Sequence, residues 1–316
     1  MAPLTEEKAF RKVPKNWAEW SEAARKLKVF RSTINTAEGL QSGSRILHAQ
    51  YLLMRAYRPG IIRQQGISVT DLDLENEYNI AATWLDSSEP FQSYIRSIRA
   101  AAAITPYSPN DPHVLGLFEI ARSQQLELLD SIRTVPRMVS DEDTVNAGTL
   151  SLLSALTIKY PEPVGSWKIV RLGLRAQFRR DGFTARIDGY LLSNITRDVT
   201  MIVEVKPNRR EKVEPQVSLQ ETAEIVAFIH RTGLGAAEQR YGFPDILSSF
   251  ESTESIYLST VTFSHKYKDY LNGARTVVTK DEFMVIQKYG PWLIDDAKAM
   301  EHIGRLVLAI TIKYGG

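Results

Sequence analysis

Up to about residue 135 the apolar positions recur at helical spacing. From Ser44 to Tyr57, the residues Ile46, Leu47, Tyr51, Leu52, Met54 and Tyr57 follow a helical period, and Arg58-Pro59-Gly60 ends the run. Thr70 is placed to cap a helix reaching about Leu85, and Pro90 to open one that ends near Ile104. Pro106, Pro109 and Pro112 punctuate a loop before a further helix from about His113 to Ile132. Residues 1–135 are therefore expected to be an all-helical region.

After Pro136 the texture changes. Ser140 and Asp143 resemble a capping box for a helix running through Leu156. Three strand-like runs follow, Trp167–Phe178, Phe183–Leu192 and Val199–Lys206, the last closed by Pro207 and the charged stretch Asn208–Glu214. A helix is expected from Val217 to His230, ending at Thr232-Gly233, then strands around Ile256–Phe263 and Phe283–Gln287 and a helix from Asp295 to about Leu308. The order helix, three strands, helix, strand, strand, helix predicts an α/β (α+β) domain over residues 136–316, built on a mixed central β-sheet.

Composition narrows the chemistry. The 316 residues are 43% hydrophobic and 24% charged, enough apolar content for a sizeable core and against general disorder. There is no Cys, which excludes disulfides, thiolate metal sites and cysteine nucleophiles. No segment has the apolar length of a membrane span, and the opening Met-Ala-Pro-Leu-Thr-Glu-Glu-Lys has no apolar leader. The expectation is an intracellular protein, cytoplasmic or nuclear, neither secreted nor membrane-bound. The five His show no zinc-type pairing, and Gly233-Leu234-Gly235 follows a helix, unlike a dinucleotide fingerprint.

Strand parity isolates one constellation. In Val199–Lys206, the residues Val199, Met201, Val203 and Val205 share one face, and Thr200, Ile202, Glu204 and Lys206 the other. In Phe183–Leu192, Arg186, Asp188 and Tyr190 point away from the apolar face. A hairpin closing symmetrically about Thr196 sets Asp188 directly opposite Glu204, with β-carbons roughly 4.5–5.5 Å apart. Like charges so placed destabilise a sheet unless one is protonated or a cation lies between them. Lys206 supplies part of that compensation, and a hard divalent cation bound by two carboxylates, water and phosphate oxygens supplies the rest. That combination suits phosphodiester hydrolysis. The alternative is a solvent-facing hairpin carrying an ordinary Glu204–Lys206 or Asp188–Lys206 ion pair.

Ile187-Asp188 followed by Glu204-Val205-Lys206 resembles the PD-(D/E)XK nuclease superfamily, and so does the order of elements around it. Gln220-Glu221-Thr222-Ala223-Glu224 resembles that superfamily's helical Gln position, and Phe283–Trp292 is similar to a segment of fungal nuclease-like proteins of this type. The resemblance spans roughly residues 136–316 and implies a restriction-endonuclease-like fold. It further implies Mg²⁺ or Mn²⁺ held by Asp188, Glu204 and the Val205 carbonyl, Lys206 as the lysine that positions or activates water, and Gln220 as a helper. Ile187 replaces the name-giving proline. The carboxylate often added by the first helix falls to Asp141, Glu142 or Asp143, of which Glu142 is put forward.

Between Gly165 and Pro215 eleven Lys and Arg face six Asp and Glu, a local charge of +5 in a chain of net +2. Arg175, Arg179, Arg186, Arg209 and Arg210 are candidate phosphate contacts for DNA or RNA. Basic residues also guard solvated strand edges, so the cluster reads either way. The expected function is a metal-dependent nuclease whose helical N-terminal region selects substrate or binds a protein partner. The alternative is a catalytically inactive nuclease-fold module that binds nucleic acid or protein.

Overall fold

The computed structural model describes residues 8–102, 115–134, 142–162, 165–206, 214–231, 245–247, 254–274 and 278–315. Among these the helices are α1 (Trp17–Lys26), α2 (His48–Leu53), α3 (Glu75–Ser87), α4 (Glu89–Ala102), α5 (Phe118–Thr134), α6 (Glu142–Thr157), α7 (Gln216–Arg231), α8 (His265–Leu271) and α9 (Ala297–Gly315). The strands are β1 (Ala56–Tyr57), β2 (Gly165–Lys168), β3 (Leu172–Gln177), β4 (Gly182–Ile187), β5 (Gly189–Ser193), β6 (Val199–Val203), β7 (Asp245–Leu247), β8 (Ser255–Thr262) and β9 (Met284–Leu293). They form a mixed four-stranded sheet β1-β9-β8-β7, an antiparallel sheet β2-β5-β6 and the two-stranded ribbon β3-β4. β7 lies next to β6. The molecule is a mixed α/β fold, and no described helix is long and apolar enough to cross a membrane.

Two apolar cores flank β6; parity holds from Met201 to Val205, but Val199 packs against the second core, and Ile187 and Leu191 enter different cores. Met201, Val203 and Val205 enter one, with Leu191, Trp167, α9 and residues of α3 to α6. Ile202 enters the other, with α1, α2, α7, α8 and the inner face of β3-β4. Residues from before and after position 135 share both cores.

The stretch 44–57 departs from the helical expectation. α2 ends at Leu53, Arg55 takes a left-handed backbone (φ 50°), and Ala56–Tyr57 pairs in parallel with β9. The side chain explains the break: Arg55 is buried against the Glu282 carboxylate and over the Tyr270 ring, 3.7 Å from its centroid. Such a pair is stable only when both charges are satisfied together. Nor does Thr70 cap α3. Asp71 N–H donates to Ser68 Oγ and Asp73 turns left-handed (φ 52°), so the helix waits until Glu75. At the other end α9 starts where Asp296 Oδ1 accepts from the amides of Lys298 (2.9 Å) and Ala299 (3.3 Å).

Candidate active site at a bend in a long hairpin

Residues 165–193 form one antiparallel hairpin with a fault in its middle. Lys168 pairs with Tyr190 and Leu172 with Ile187, so Ile169, Val170 and Arg171 oppose only Asp188 and Gly189. The extra residue makes a β-bulge, which bends the strand and redirects side chains. Both long strands expected here are broken at that point. The bend has a packing cause: β3 and β4 lie on α7, whereas β2 and β5 lie on α9, and β2 also on α6. Gly189 permits it, because a Cβ there would stand 2.9 Å from both Leu150 Cδ2 and the Lys168 carbonyl oxygen.

Across the next turn Gly189 faces Val203, Tyr190 faces Ile202 and Leu191 faces Met201, the register expected from a loop centred on Thr196, before it slips at Leu192. Strand pairing stops at Val203 instead of Lys206. The Val205 amide donates to Asp188 Oδ2 at 3.0 Å, so a side chain takes the place of the ladder carbonyl. Asp188 is buried, its Oδ1 lies 3.2 Å from Arg171 Nε, and its main-chain oxygen accepts from Asn146 of α6 at 3.4 Å.

Glu204 is buried too, so this is no solvent-facing hairpin. Its Oε1 accepts from Lys206 Nζ and from Gln220 Nε2, the latter at 2.8 Å. The same Gln220 nitrogen donates to Glu224 Oε1 at 2.9 Å, so one amide holds two carboxyl groups. Glu204 Oε2 and Glu224 Oε2 are buried and without a hydrogen-bond partner. Burial raises the pKa of both acids. For Glu204 the charge of Glu224 adds to it, and Lys206 opposes it without winning. Glu224 is pushed up to about 8, against the pull of Lys206 and the Gln220 hydrogen bond. For Lys206 burial acts against the charge, but Glu204 and then Glu224 outweigh it, holding the ammonium above the usual lysine range.

The fold thus brings together Asp188, Glu204, Lys206 and Gln220. Val205 contributes its amide to Asp188. Glu142 opens α6, but its side chain, like Asp141, lies outside the described residues. Asp143 accepts from Arg171 Nη2 at 2.7 Å, and the same guanidinium meets Asp188. Arg175 and Arg186 are exposed on the outer face of the β3-β4 ribbon, which leads by alternation to Asp188. Arg179 is exposed at the ribbon's far end against Gly273. Arg209 and Arg210 lie outside the described residues.

Two participants were not singled out from the sequence. Glu224 follows Gln220 by four residues, the spacing that shares a helix face, so its signal was present. Arg171 gave none beyond its charge, because only the bulge aims it. Glu221 points into a buried cluster with Arg58 Nη1 at 2.5 Å and Lys288 Nζ at 3.3 Å, and its charge adds to the upward shift of Glu224.

Among the described residues no group of three or more His, Cys, Asp and Glu side chains is set to hold a metal ion. A hard divalent ion asks less of a protein: one or two carboxylates, with water and substrate oxygens completing the shell. The buried, partnerless Glu204 Oε2 and Glu224 Oε2 offer oxygens of that kind, so the donor chemistry fits Mg²⁺ or Mn²⁺. The chain matches no protein-family model, no curated protein and no solved structure.

Proposed function

We propose that this chain is a metal-dependent nuclease of the PD-(D/E)XK kind, hydrolysing phosphodiester bonds of nucleic acid. The observation that carries the reading is the convergence of Asp188, Glu204, Lys206 and Gln220 around buried carboxylate oxygens that have no donor. Asp188 and Glu204 are the metal-binding acids of this reading, with the Val205 carbonyl beside them. When bound, Mg²⁺ or Mn²⁺ stabilises charge at phosphorus and makes a water nucleophilic near neutral pH.

The chain's own groups do the rest. Asp188 accepts the Val205 amide and thereby fixes the turn that carries Glu204 and Lys206. Lys206, held protonated by Glu204 and Glu224, is a donor and a fixed positive charge, so it orients the attacked phosphate or the water and does not deprotonate it. Gln220 keeps the two carboxyl groups in place. Arg175 and Arg186, exposed beside the bend, suit a phosphate backbone, DNA or RNA alike. The region before residue 135 is read as the part that selects substrate or partner.

One observation favours the alternative, an inactive nuclease-fold module that binds nucleic acid or protein. Both Asp188 oxygens are already engaged, one by Arg171 and one by the Val205 amide. Lys206→Ala separates the two readings. On the nuclease reading the variant folds, binds nucleic acid and no longer cleaves it. Cleavage by the variant at the wild-type rate would remove Lys206 from the mechanism, and binding without cleavage by the wild type would favour the module.

A further inference from the structure

We infer that Glu224 is a metal ligand, supplying from α7 the carboxylate that the sequence reading sought in the helix before the sheet. The inference rests on the nuclease reading and specifies its site.

Oxygen availability decides between the acids. Asp188 has both oxygens engaged, by Arg171 Nε at 3.2 Å and by the Val205 amide at 3.0 Å. Asp143 Oδ1 accepts from Arg171 Nη2, on the same guanidinium whose Nε meets Asp188. Glu204 and Glu224 differ. Gln220 Nε2 binds the Oε1 atom of each, at 2.8 and 2.9 Å, and leaves the Oε2 atom of each buried without a donor. A buried acceptor with no partner is costly, and two of them held by one amide form a site with a shortage of positive charge. Lys206 is the cation already present, and it is on Glu204 Oε1. A divalent ion bound by Glu204 Oε2 and Glu224 Oε2 would give both orphans a partner while Gln220 and Lys206 stay on the Oε1 atoms.

The test is Mn²⁺ binding to the full chain, read as the loss of the free-ion paramagnetic resonance signal, for the wild type, Glu224→Gln, Glu224→Asp and Asp143→Asn. Circular dichroism checks each fold. The expected result is a tenfold or greater loss of Mn²⁺ affinity in Glu224→Gln. A smaller loss is expected in Glu224→Asp, which keeps the charge but withdraws it by one methylene. Asp143→Asn is expected to bind like the wild type. Equal affinity in the wild type and both Glu224 variants would overturn the assignment while leaving a metal-dependent nuclease intact. So would a loss confined to Asp143→Asn. A wild type that binds no Mn²⁺ would overturn the nuclease reading itself, and this inference with it.

Discussion

Replacing Glu224 by Gln should stabilise the metal-free protein increasingly as pH rises above the ordinary carboxylate range. Glu224 is fully buried, and its carboxyl titrates at about 8 instead of 4.5, burial being the main cause. In the folded chain it holds a proton through that interval, whereas in the unfolded chain it has released it. An acid whose folded pKa is raised gives a fold that weakens as pH climbs from the unfolded value to the folded one, and the loss is complete above about 8. Moving the carboxyl that far corresponds to a ceiling of about 5 kcal/mol, and Glu204 shares Lys206 with it, so about half is expected. Gln keeps the shape and an oxygen for Gln220 but carries no charge. Urea unfolding in a chelating buffer at pH 5 and at pH 8.5 measures the difference. Glu224→Gln should exceed the wild type by about 2–3 kcal/mol at the higher pH and lie within about 1 kcal/mol of it at the lower. Equal stability at both pH values would refute the buried, charge-starved site.

Glu221→Ala removes the carboxylate that buried Arg58 and Lys288 share and should cost about 3–5 kcal/mol, seen as a lower urea midpoint with an unchanged slope. Gly189→Ala forces a methyl to within 2.9 Å of Leu150 and the Lys168 carbonyl. It should cost about 1–3 kcal/mol, read as a lower urea midpoint.

Alternation and a short loop were enough to read the β5-β6 register, because a one-residue slip would have put Met201, Val203 and Leu191 in the wrong core. That register carried the pairing of Asp188 with the Glu204 turn. The bulge at Ile169–Arg171 was not legible: nothing local in that run marks it, and it exists because the two ends of the hairpin pack on different helices. Hence Arg171's role was invisible. α9 shows the same limit from the other side. Ile310-Thr311-Ile312 is β-branched and reads against a helix, yet burial of Ile310 and the Thr311 Oγ1 bond to the Val307 carbonyl (2.8 Å) carry the helix to Gly315. The break after α2 depends on Glu282, more than two hundred residues along the chain from Arg55. Glu224 was legible in its spacing, but only the structure showed its second oxygen to be without a donor.

The most direct measurement is a cleavage assay on mixed DNA and RNA substrates with Mg²⁺ or Mn²⁺, run beside a chelator and beside Asp188→Asn. Metal-dependent hydrolysis is expected in the wild type and lost in both controls. A folded wild type that cleaves no substrate in either metal, or one that cleaves equally well in the chelator, would contradict the central claim.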